Sequence, residues 1–544
     1  MNSTSYSSIP SDPNVKPLES ARQSPLNTRL RKLGLATIVV LVGSGVIASI
    51  VLLLTRHDNT PKHRNVIMMI SDGFGPASET YARQYHGWRE GLGTKSILPL
   101  DHIHVGHSRT QSSSSLVTDS AAGATAFACA LKSYNGAIGV DPKKKPCGTV
   151  LESAKIHHDM LTGLVVTSRI THATPASFSA HIDWRDKEPQ IAEQQIGYNP
   201  LGRTVDLMFG GGECEFLSNT TDNSCRQDER DLFDEARDVF GWEVVRSRKE
   251  FDTISPESAT LPLMALFSPD HMSYEIDRDP TQQPSLKEMV QKALGILDDK
   301  SRKSDKGFFL MIEGSRIDMA AHSNDPAAHF HDIYEYHETA SAVIDYVKDH
   351  PDTVVISTSD HETGGFTLGR QLGENYPEYK WNPEVISRVR NSSEALARVW
   401  NEAVKSDTTS TGYLRKEIIA NGLGIEDPTK EELERLANWK ENDEDISALE
   451  NILADMVSRR ALIGWTTHGH TAVDVNLYAY GEGTEWLRGS HENIEIGDFI
   501  SNYLNLDLDD ITDRLTTGWG KEEEDMEATI DVTAQISKHQ LYHD

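Results

Sequence analysis

The chain has 544 residues and a formal net charge of −30, from 53 basic and 83 acidic side chains. A chain of this length can bury a large core, and α/β enzymes often grow by insertion, so we expect one large catalytic domain. The negative charge argues against nucleic acid as a partner, because binding to a phosphate backbone needs an electropositive face. Bound metal ions can still attract an anionic substrate locally.

The first part of the chain has the pattern of a membrane anchor. Residues 1–33 are rich in Ser, Pro and Asn, which predicts a disordered cytosolic tail. Residues 34–54 carry no charge and are long enough to cross a bilayer, so we interpret them as an uncleaved transmembrane signal anchor. Residues 55–64 form a polar linker. Basic residues flank the span on both sides, and the positive-inside bias favours a cytosolic N terminus only slightly.

An α/β fold is predicted for residues 65–515. Four apolar runs resemble buried parallel strands, namely 65–70, 163–167, 308–312 and 353–358. Helical stretches such as 285–297 and 330–347 lie between them, which is typical of a mostly parallel central sheet with helices on both faces. Residues 369–460 turn acidic and helical and are interpreted as an inserted lobe. Residues 516–544 are interpreted as a solvated acidic tail.

Cysteines and glycosylation sequons favour an oxidising compartment. The four cysteines fall into two close pairs, Cys129 with Cys147 and Cys214 with Cys225. This spacing suits local disulfides, although free buried thiols are the alternative. N-glycosylation sequons begin at Asn219 and Asn391, and such triplets also arise by chance. Together these features favour a lumenal or extracellular catalytic domain.

Ser120 has the setting of a nucleophile. It follows Asp119 and precedes a run of small residues that can begin a helix, whose N-terminus favours an anion. No Gly-x-Ser-x-Gly elbow surrounds it, so its activating group must lie elsewhere in the chain.

Candidate metal ligands follow the predicted strands. Asp72, His172 with Thr174, Glu313, and Asp360 with His361 each come after one apolar run. Ligands of open α/β sheets bind at the carboxyl ends of the strands, so these side chains can converge in one crevice.

Two further motifs add histidines. Asp318 and His322 are four residues apart and share a helix face, while His468 and His470 offer one more ligand between them. Each motif alone is weak, since such pairs are more often surface hydrogen bonds. Their joint occurrence fits phosphoryl transfer by two metals, with Arg185 holding the phosphate oxygens in a bidentate fork.

These motifs together resemble the alkaline phosphatase family, in order from about residue 65 to 470, and most closely its fungal vacuolar, membrane-anchored members. The resemblance implies two zinc ions and one magnesium ion per chain. It assigns the phosphoserine nucleophile to Ser120 and the phosphate clamp to Arg185. The implied ligands of the first zinc are Asp72, Asp360 and His361, and those of the second zinc are Asp318, His322 and His470. The implied ligands of magnesium are Asp72, Thr174 and Glu313. His468 then becomes a neighbour. His172 stands where some members have aspartate, and because histidine suits zinc better than magnesium, we keep it as a candidate beside the third ion.

The function implied by the resemblance is broad hydrolysis of phosphate monoesters, including phosphopeptides, with an alkaline optimum. It also implies a homodimer and a type II protein of the vacuole membrane with a lumenal catalytic domain. A metal-dependent phosphodiesterase of the same superfamily and a membrane-anchored protein with a decayed site remain alternatives. A sulfatase would need a Cys/Ser-x-Pro-x-Arg setting, which Ser120 lacks. The sequence does not name the physiological substrate.

Overall fold

A mostly parallel sheet of ten strands organises the catalytic region. The computed structural model describes residues 64–406, 410–439 and 445–519. Within them the strands are β1 Asn65–Ile70, β2 His104–Arg109, β3 Leu161–Arg169, β4 Leu207–Gly211, β5 Glu243–Val245, β6 Leu263–Leu266, β7 Phe308–Glu313, β8 Thr353–Thr358, β9 Glu362–Thr363, β10 Thr367–Leu368, β11 Ile463–Gly464, β12 His470–Thr471, β13 Val475–Tyr480 and β14 Gly489–Glu492.

The main sheet has the order β14-β2-β13-β8-β1-β7-β3-β4-β6-β5. β13 runs antiparallel to β2 and β8, whereas the other neighbouring strands pair in parallel. Two short antiparallel ladders, β9 with β12 and β10 with β11, lie outside this sheet. The carboxyl ends of β1, β3, β7 and β8 therefore meet at one edge of the sheet.

Helices connect the strands. Their bounds are α1 Pro76–Arg89, α2 Ser120–Cys129, α3 Val150–His158, α4 Ala173–Ser179, α5 Glu188–Glu193, α6 Leu232–Phe240, α7 Arg248–Thr253, α8 Leu286–Ser304, α9 Arg316–His322, α10 Pro326–Asp349, α11 Pro383–Ile386, α12 Ser393–Lys405, α13 Thr411–Tyr413, α14 Lys430–Asn438, α15 Ile446–Ala461, α16 Asn493–Leu504 and α17 Leu508–Trp519. Short 3₁₀ turns cover Gly93–Lys95, Pro99–Ile103, Glu213–Glu215 and Thr484–Leu487, and π-helical turns cover Gln194–Tyr198 and Leu414–Gly422.

Alternate residues of the central strands enter two different hydrophobic clusters. Ile67 of β1 and Leu310 of β7 pack with α8 and α10 on one face. Their neighbours Met68 and Phe309 pack with α2, α3 and α16 on the other face. Successive side chains of a strand point to opposite faces, so a strand that is apolar throughout needs cover on both sides. The predicted α/β architecture with helices on both faces is confirmed.

The predicted elements agree with the structure at the centre of the fold. All four predicted strands and both predicted helical stretches are present, although β3 and the two helices are longer than expected. Within the acidic stretch 369–460, the described residues from 383 onward are mainly helical, from α11 to α15, whereas 369–382 form no helix. Both predicted disulfides, Cys129–Cys147 and Cys214–Cys225, are formed.

At the C-terminal end of the described residues, α17 extends past residue 515 to Trp519. Thr516 and Thr517 in its last turns are exposed. This helix is stabilised by complete burial of Ile511 and Leu515. The rest of the tail lies outside the described residues, as do the predicted anchor at 34–54 and the segments before it. In the part of the chain that the structure covers, no helix meets the length and apolarity needed to span a membrane.

Candidate active site

Ser120 is the first residue of α2, and the residue before it caps the helix. The Asp119 carboxylate accepts a hydrogen bond of 3.0 Å from the Ala122 N–H, which satisfies one of the free donors of the first turn. Ser120 is buried. Its hydroxyl is thus held at the positive end of a capped helix.

Small residues allow α2 to approach the sheet edge. A Cβ atom on Gly123 would lie 2.9 Å from the Cβ of Asp360, so only glycine permits this contact. Gly73 has φ of +72°, and a Cβ there would lie 2.6 Å from Asp318 Oδ1. The two glycines therefore let four chain segments, each with an aspartate, approach in two pairs.

His361 and Ser120 are in direct contact. The Ser120 Oγ lies 3.0 Å from His361 Nε2, and the same nitrogen lies 3.4 Å from Asp72 Oδ1 and 3.3 Å from Asp360 Oδ2. His361 Nδ1 lies 3.2 Å from the Thr363 hydroxyl, which donates its own proton to Asp318. The Thr363 oxygen must then accept from Nδ1–H, which leaves the lone pair on Nε2 facing the serine and two carboxylates.

A second cluster joins Asp318, His322 and His470. The two histidine Nε2 atoms lie 3.2 Å apart, and Asp318 lies 3.1 Å from His322 and 3.8 Å from His470. Each Nδ1–H donates to a backbone carbonyl, that of His468 for His322 and that of Thr118 for His470. Both Nε2 lone pairs therefore point at one another.

A third cluster brings ligand atoms of Asp72, His172 and Glu313 within 4.8 Å of one another. Thr174 is buried near Glu313, and among the described residues its hydroxyl has no hydrogen-bond partner. The Glu313 carboxylate accepts from Ser168 Oγ at 3.1 Å.

Arg185 is buried and lies between Asp119, the residue before Ser120, and His172 of the third cluster. Its Nη1 donates to Asp119 Oδ2 at 3.2 Å, and its Nη2 donates to His172 Nε2 at 3.2 Å. Since a guanidinium only donates, that nitrogen of His172 carries no proton. Arginine has five N–H groups, so the fork keeps donors for a phosphate.

The carboxyl groups of the three clusters perturb one another's pKa values. Burial, followed by the charges of Asp360 and Asp318, raises the pKa of Asp72 well above its usual value. Burial also raises the pKa of Glu313 to about 7 and, with repulsion from Asp318, that of Asp360 to about 7. For the imidazoles the direction is opposite, because burial lowers the pKa of His361 and His470 far below the ordinary value.

These observations test whether the site fits metal cations. Among the described residues, none donates a hydrogen bond to either oxygen of Asp72, to Glu313 Oε1 or to Asp360 Oδ2. Buried carboxylate oxygens without donors, next to unprotonated imidazole nitrogens that face each other, are costly unless a cation binds them. Mixed nitrogen and oxygen donors suit zinc in the first two clusters, and oxygen donors suit magnesium in the third. The residues fit the ions implied by the sequence.

All the predicted ligand residues, Ser120 and Arg185 are thus brought together at the sheet edge. His468 is exposed at the rim, and its Nδ1 hydrogen-bonds the His322 carbonyl at 2.7 Å. Sequence reasoning missed His271, whose ring lies edge-on to His172 with centroids 5.3 Å apart. His271 follows β6, a short buried strand in the apolar run 261–267, which was not among the four predicted strands. That run is the signal that could have marked this histidine.

A family model described as alkaline phosphatase matches residues 63–506. The chain belongs to the alkaline phosphatase family. Among its relatives, the alkaline phosphatase of Schizosaccharomyces pombe is 50% identical over 459 residues, which is 84% of each chain. The repressible alkaline phosphatase of Saccharomyces cerevisiae is 46% identical over 505 residues, covering 89% of this chain and 88% of the relative.

Solved alkaline phosphatases share the fold. The enzyme of Thermus thermophilus is 29% identical, with a TM-score of 0.69 over 82% of this chain and 92% of that one. The cold-active enzyme of a Shewanella species is 30% identical, with a TM-score of 0.68 over 81% of this chain and 99% of that one. The predicted family and enzyme class are confirmed, and the reading as a decayed, non-catalytic protein is not supported.

Proposed function

We propose that this alkaline phosphatase hydrolyses phosphate monoesters through a phosphoserine intermediate on Ser120, with two zinc ions and one magnesium ion and an alkaline optimum. The observation that carries the proposal is the position of the Ser120 hydroxyl. It lies 3.0 Å from an unprotonated imidazole nitrogen that also faces two buried carboxylates. Ser120 therefore lies at a helix N-terminus and next to a candidate cation site, and both features favour its deprotonated hydroxyl.

Each ion has a proposed set of ligands. The first zinc takes Asp72, Asp360 and His361, the second takes Asp318, His322 and His470, and magnesium takes Asp72, Thr174 and Glu313, with His172 beside it. When bound, the ions lower the pKa of hydroxyl groups and neutralise charge on the attacking and leaving oxygens of an in-line displacement.

The side chains of the protein supply the remaining steps. Ser120 gives up its proton to solvent, and its Oγ bonds to phosphorus as the bond between phosphorus and the ester oxygen breaks. The alcohol leaves with a proton taken from water. Water then attacks the phosphoserine, which releases inorganic phosphate and restores the Ser120 hydroxyl. Arg185 donates two N–H groups to the non-bridging phosphate oxygens, while Asp119 holds its guanidinium in place at 3.2 Å. Because ligation and attack both need deprotonated groups, we propose that turnover rises toward alkaline pH.

Magnesium has been described in a relative in which a glutamate replaces a histidine. A solved structure of a histidine-to-glutamate variant of the TAB5 alkaline phosphatase is described with Mg bound in the M3 site; that protein is 26% identical to this chain with a TM-score of 0.57. Here the third cluster combines one histidine with oxygen donors, and Arg185 occupies one histidine nitrogen. We propose that magnesium binds chiefly through Asp72, Thr174 and Glu313.

We further propose a cellular context. Residues 34–54 form a signal anchor of a type II protein, residues 1–33 face the cytosol, and a homodimeric catalytic domain lies in the vacuole lumen with the inserted lobe at 369–460. The resemblance to fungal vacuolar members and the two disulfides support this. The side-chain amides of both sequon asparagines donate a hydrogen bond, Asn219 to the Gln227 carbonyl and Asn391 to Asp277. Asn219 is exposed whereas Asn391 is half-buried, so we propose Asn219 as the glycosylated residue.

The proposal is tested by metal content and hydrolysis measured on the same purified chain. We expect two zinc ions and one magnesium ion per chain by mass spectrometry, and hydrolysis of p-nitrophenyl phosphate that rises from pH 6 to 10. A chelator should abolish the activity and zinc with magnesium should restore it. Bis-p-nitrophenyl phosphate serves as the comparison. Stoichiometric zinc with faster diester than monoester hydrolysis would favour the phosphodiesterase alternative instead.

A further inference from the structure

A half-exposed tryptophan lies next to the proposed phosphate clamp. Trp184 directly precedes Arg185 and is 49% exposed, whereas Arg185 is buried. The Trp184 Nε1–H donates to Asp186 Oδ2 at 3.0 Å, so the polar edge of the indole is already occupied. What the ring offers to a ligand is therefore its apolar surface.

The indole of Trp184 packs against Gly136, a residue without a side chain. Gly136 has φ of +92°, and a Cβ atom there would lie 2.5 Å from Cζ3 and 2.6 Å from Cε3 of Trp184. Only glycine leaves room for the ring at this position. Gly136 thus covers one side of the indole, and the exposed half of the side chain remains accessible.

Gly136 connects this ring to the nucleophile. Its N–H donates to Asp119 Oδ2 at 2.8 Å, and its carbonyl accepts from the Arg185 N–H at 2.9 Å. The same Asp119 oxygen accepts from Arg185 Nη1. The indole is therefore one backbone residue away from the carboxylate that holds the clamp beside Ser120.

We propose that Trp184 is a specificity-determining residue that stacks on an aromatic ring in the alcohol part of the substrate. The inference rests on the proposed phosphomonoesterase function and adds a substrate class, namely monoesters whose alcohol carries an aromatic ring, such as a nucleobase. Stacking needs no hydrogen-bond partner on the ligand, so it favours this class without excluding small alkyl esters.

Two esters with alkyl leaving groups isolate the contribution of the ring. We compare kcat/KM for 2-phenylethyl phosphate and ethyl phosphate in the unaltered protein and in the Trp184→Ala variant. We expect the preference for the phenyl ester to fall by about three- to tenfold, mainly through KM, because one aromatic contact is lost. Trp184→Phe should restore most of the preference, which a merely structural role of Trp184 would not predict.

Controls separate this inference from the proposed function. Trp486 is 50% exposed and lies on the turn between β13 and β14, so Trp486→Ala is a matched control that should keep the preference. If Trp184→Ala is poorly folded, Trp184→Leu keeps apolar bulk over Gly136 and should show the same loss of preference. Equal losses for both esters, or an unchanged preference, would overturn the role of Trp184.

Calorimetry on the metal-loaded protein adds a readout that does not depend on turnover. 2-Phenylethylphosphonate should bind more tightly than ethylphosphonate, and Trp184→Ala should remove that difference. Absence of any hydrolysis together with this binding difference would contradict the proposed function and support the role of Trp184. Hydrolysis of both esters with no binding difference would contradict the role of Trp184 alone.

Discussion

The protonation of three histidines is set by neighbours that carry no charge. A backbone carbonyl holds Nδ1–H of both His322 and His470, and the Thr363 hydroxyl does the same for His361. In each ring the lone pair on Nε2 is then directed into the crevice. Motif positions predicted His361 and His322 as candidate ligands and left His468 and His470 open, and the family resemblance selected His470. The tautomers depend on groups that the local sequence does not show, such as the carbonyl of Thr118.

Arg185 should contribute through its fork geometry as well as its charge. Replacing Arg185 by lysine keeps the charge but removes the paired donors, and hydrogen bonds to charged groups are worth roughly 1.5–3 kcal/mol each. We expect Arg185→Lys to lower kcat/KM for p-nitrophenyl phosphate about 10- to 100-fold, with weaker inhibition by inorganic phosphate.

Arg109→Lys is the control for this substitution. Arg109 pairs with Glu492 at 2.7 Å in a half-exposed contact between β2 and β14, and it is neither a proposed metal ligand nor part of the phosphate clamp. Its activity should match that of the unaltered protein. Equal phosphate inhibition in Arg185→Lys and Arg109→Lys would contradict the assignment of the clamp.

Elements with continuous apolar sequence were predictable, and those with mixed sequence were not. β1, β7 and β8 are buried along their whole length, so their composition alone predicts them. β2 has the mixed sequence His-Val-Gly-His-Ser-Arg, and some of its residues are exposed. It pairs with β13, which lies more than 360 residues further along the chain, as in the pair Ser108 and Val475. No local pattern predicts such a pairing, which is why the sheet is wider than expected.

The disulfide at the end of α2 should stabilise the element that carries Ser120. Cys129 is the last residue of this helix, and Cys147 lies 18 residues further on. A crosslink over a loop of this length contributes about 3 kcal/mol to the free energy of unfolding. The double variant Cys129→Ala/Cys147→Ala should show a urea midpoint lowered accordingly, with phosphatase activity retained at 25 °C. An unchanged midpoint would show that the crosslink does not stabilise the fold.

The net charge of the whole chain and the charges inside the crevice have opposite effects on an anionic substrate. A chain with a formal charge of −30 repels anionic esters at long range, so attraction must come from cations bound within the crevice and from Arg185. Apolar runs alternating with helical stretches correctly indicated an α/β fold, but the burial that perturbs the site appears only when distant segments meet.

The raised pKa values predict how the stability of the chelated protein depends on pH. Burial raises the pKa of Glu313 and of Asp360 to about 7, and Asp72 shifts in the same direction. The folded state then binds more protons than the unfolded state, so these groups stabilise at low pH and lose this contribution as pH rises through about 7.

Histidines oppose this effect only at lower pH. The pKa values of His361 and His470 are lowered by burial, so the contribution of these residues to stability grows until their unfolded value near 6.5 is passed. From about pH 6.5 to 8 the carboxyl groups dominate. We expect the melting temperature of the chelated protein to fall across this range and to be restored at pH 8 by zinc and magnesium. A rising melting temperature in chelator would contradict the assignment of repelling carboxylates.

The central claim is that Ser120 carries the phosphoryl group during turnover. The most direct measurement is peptide mass spectrometry of the metal-loaded protein after rapid acid quenching during hydrolysis of p-nitrophenyl phosphate. We predict one added phosphoryl group on the peptide that contains Ser120. In the Ser120→Ala variant this group should be absent and nearly all turnover lost, while the zinc content stays unchanged. Phosphorylation of another residue, or full activity in Ser120→Ala, would contradict the account.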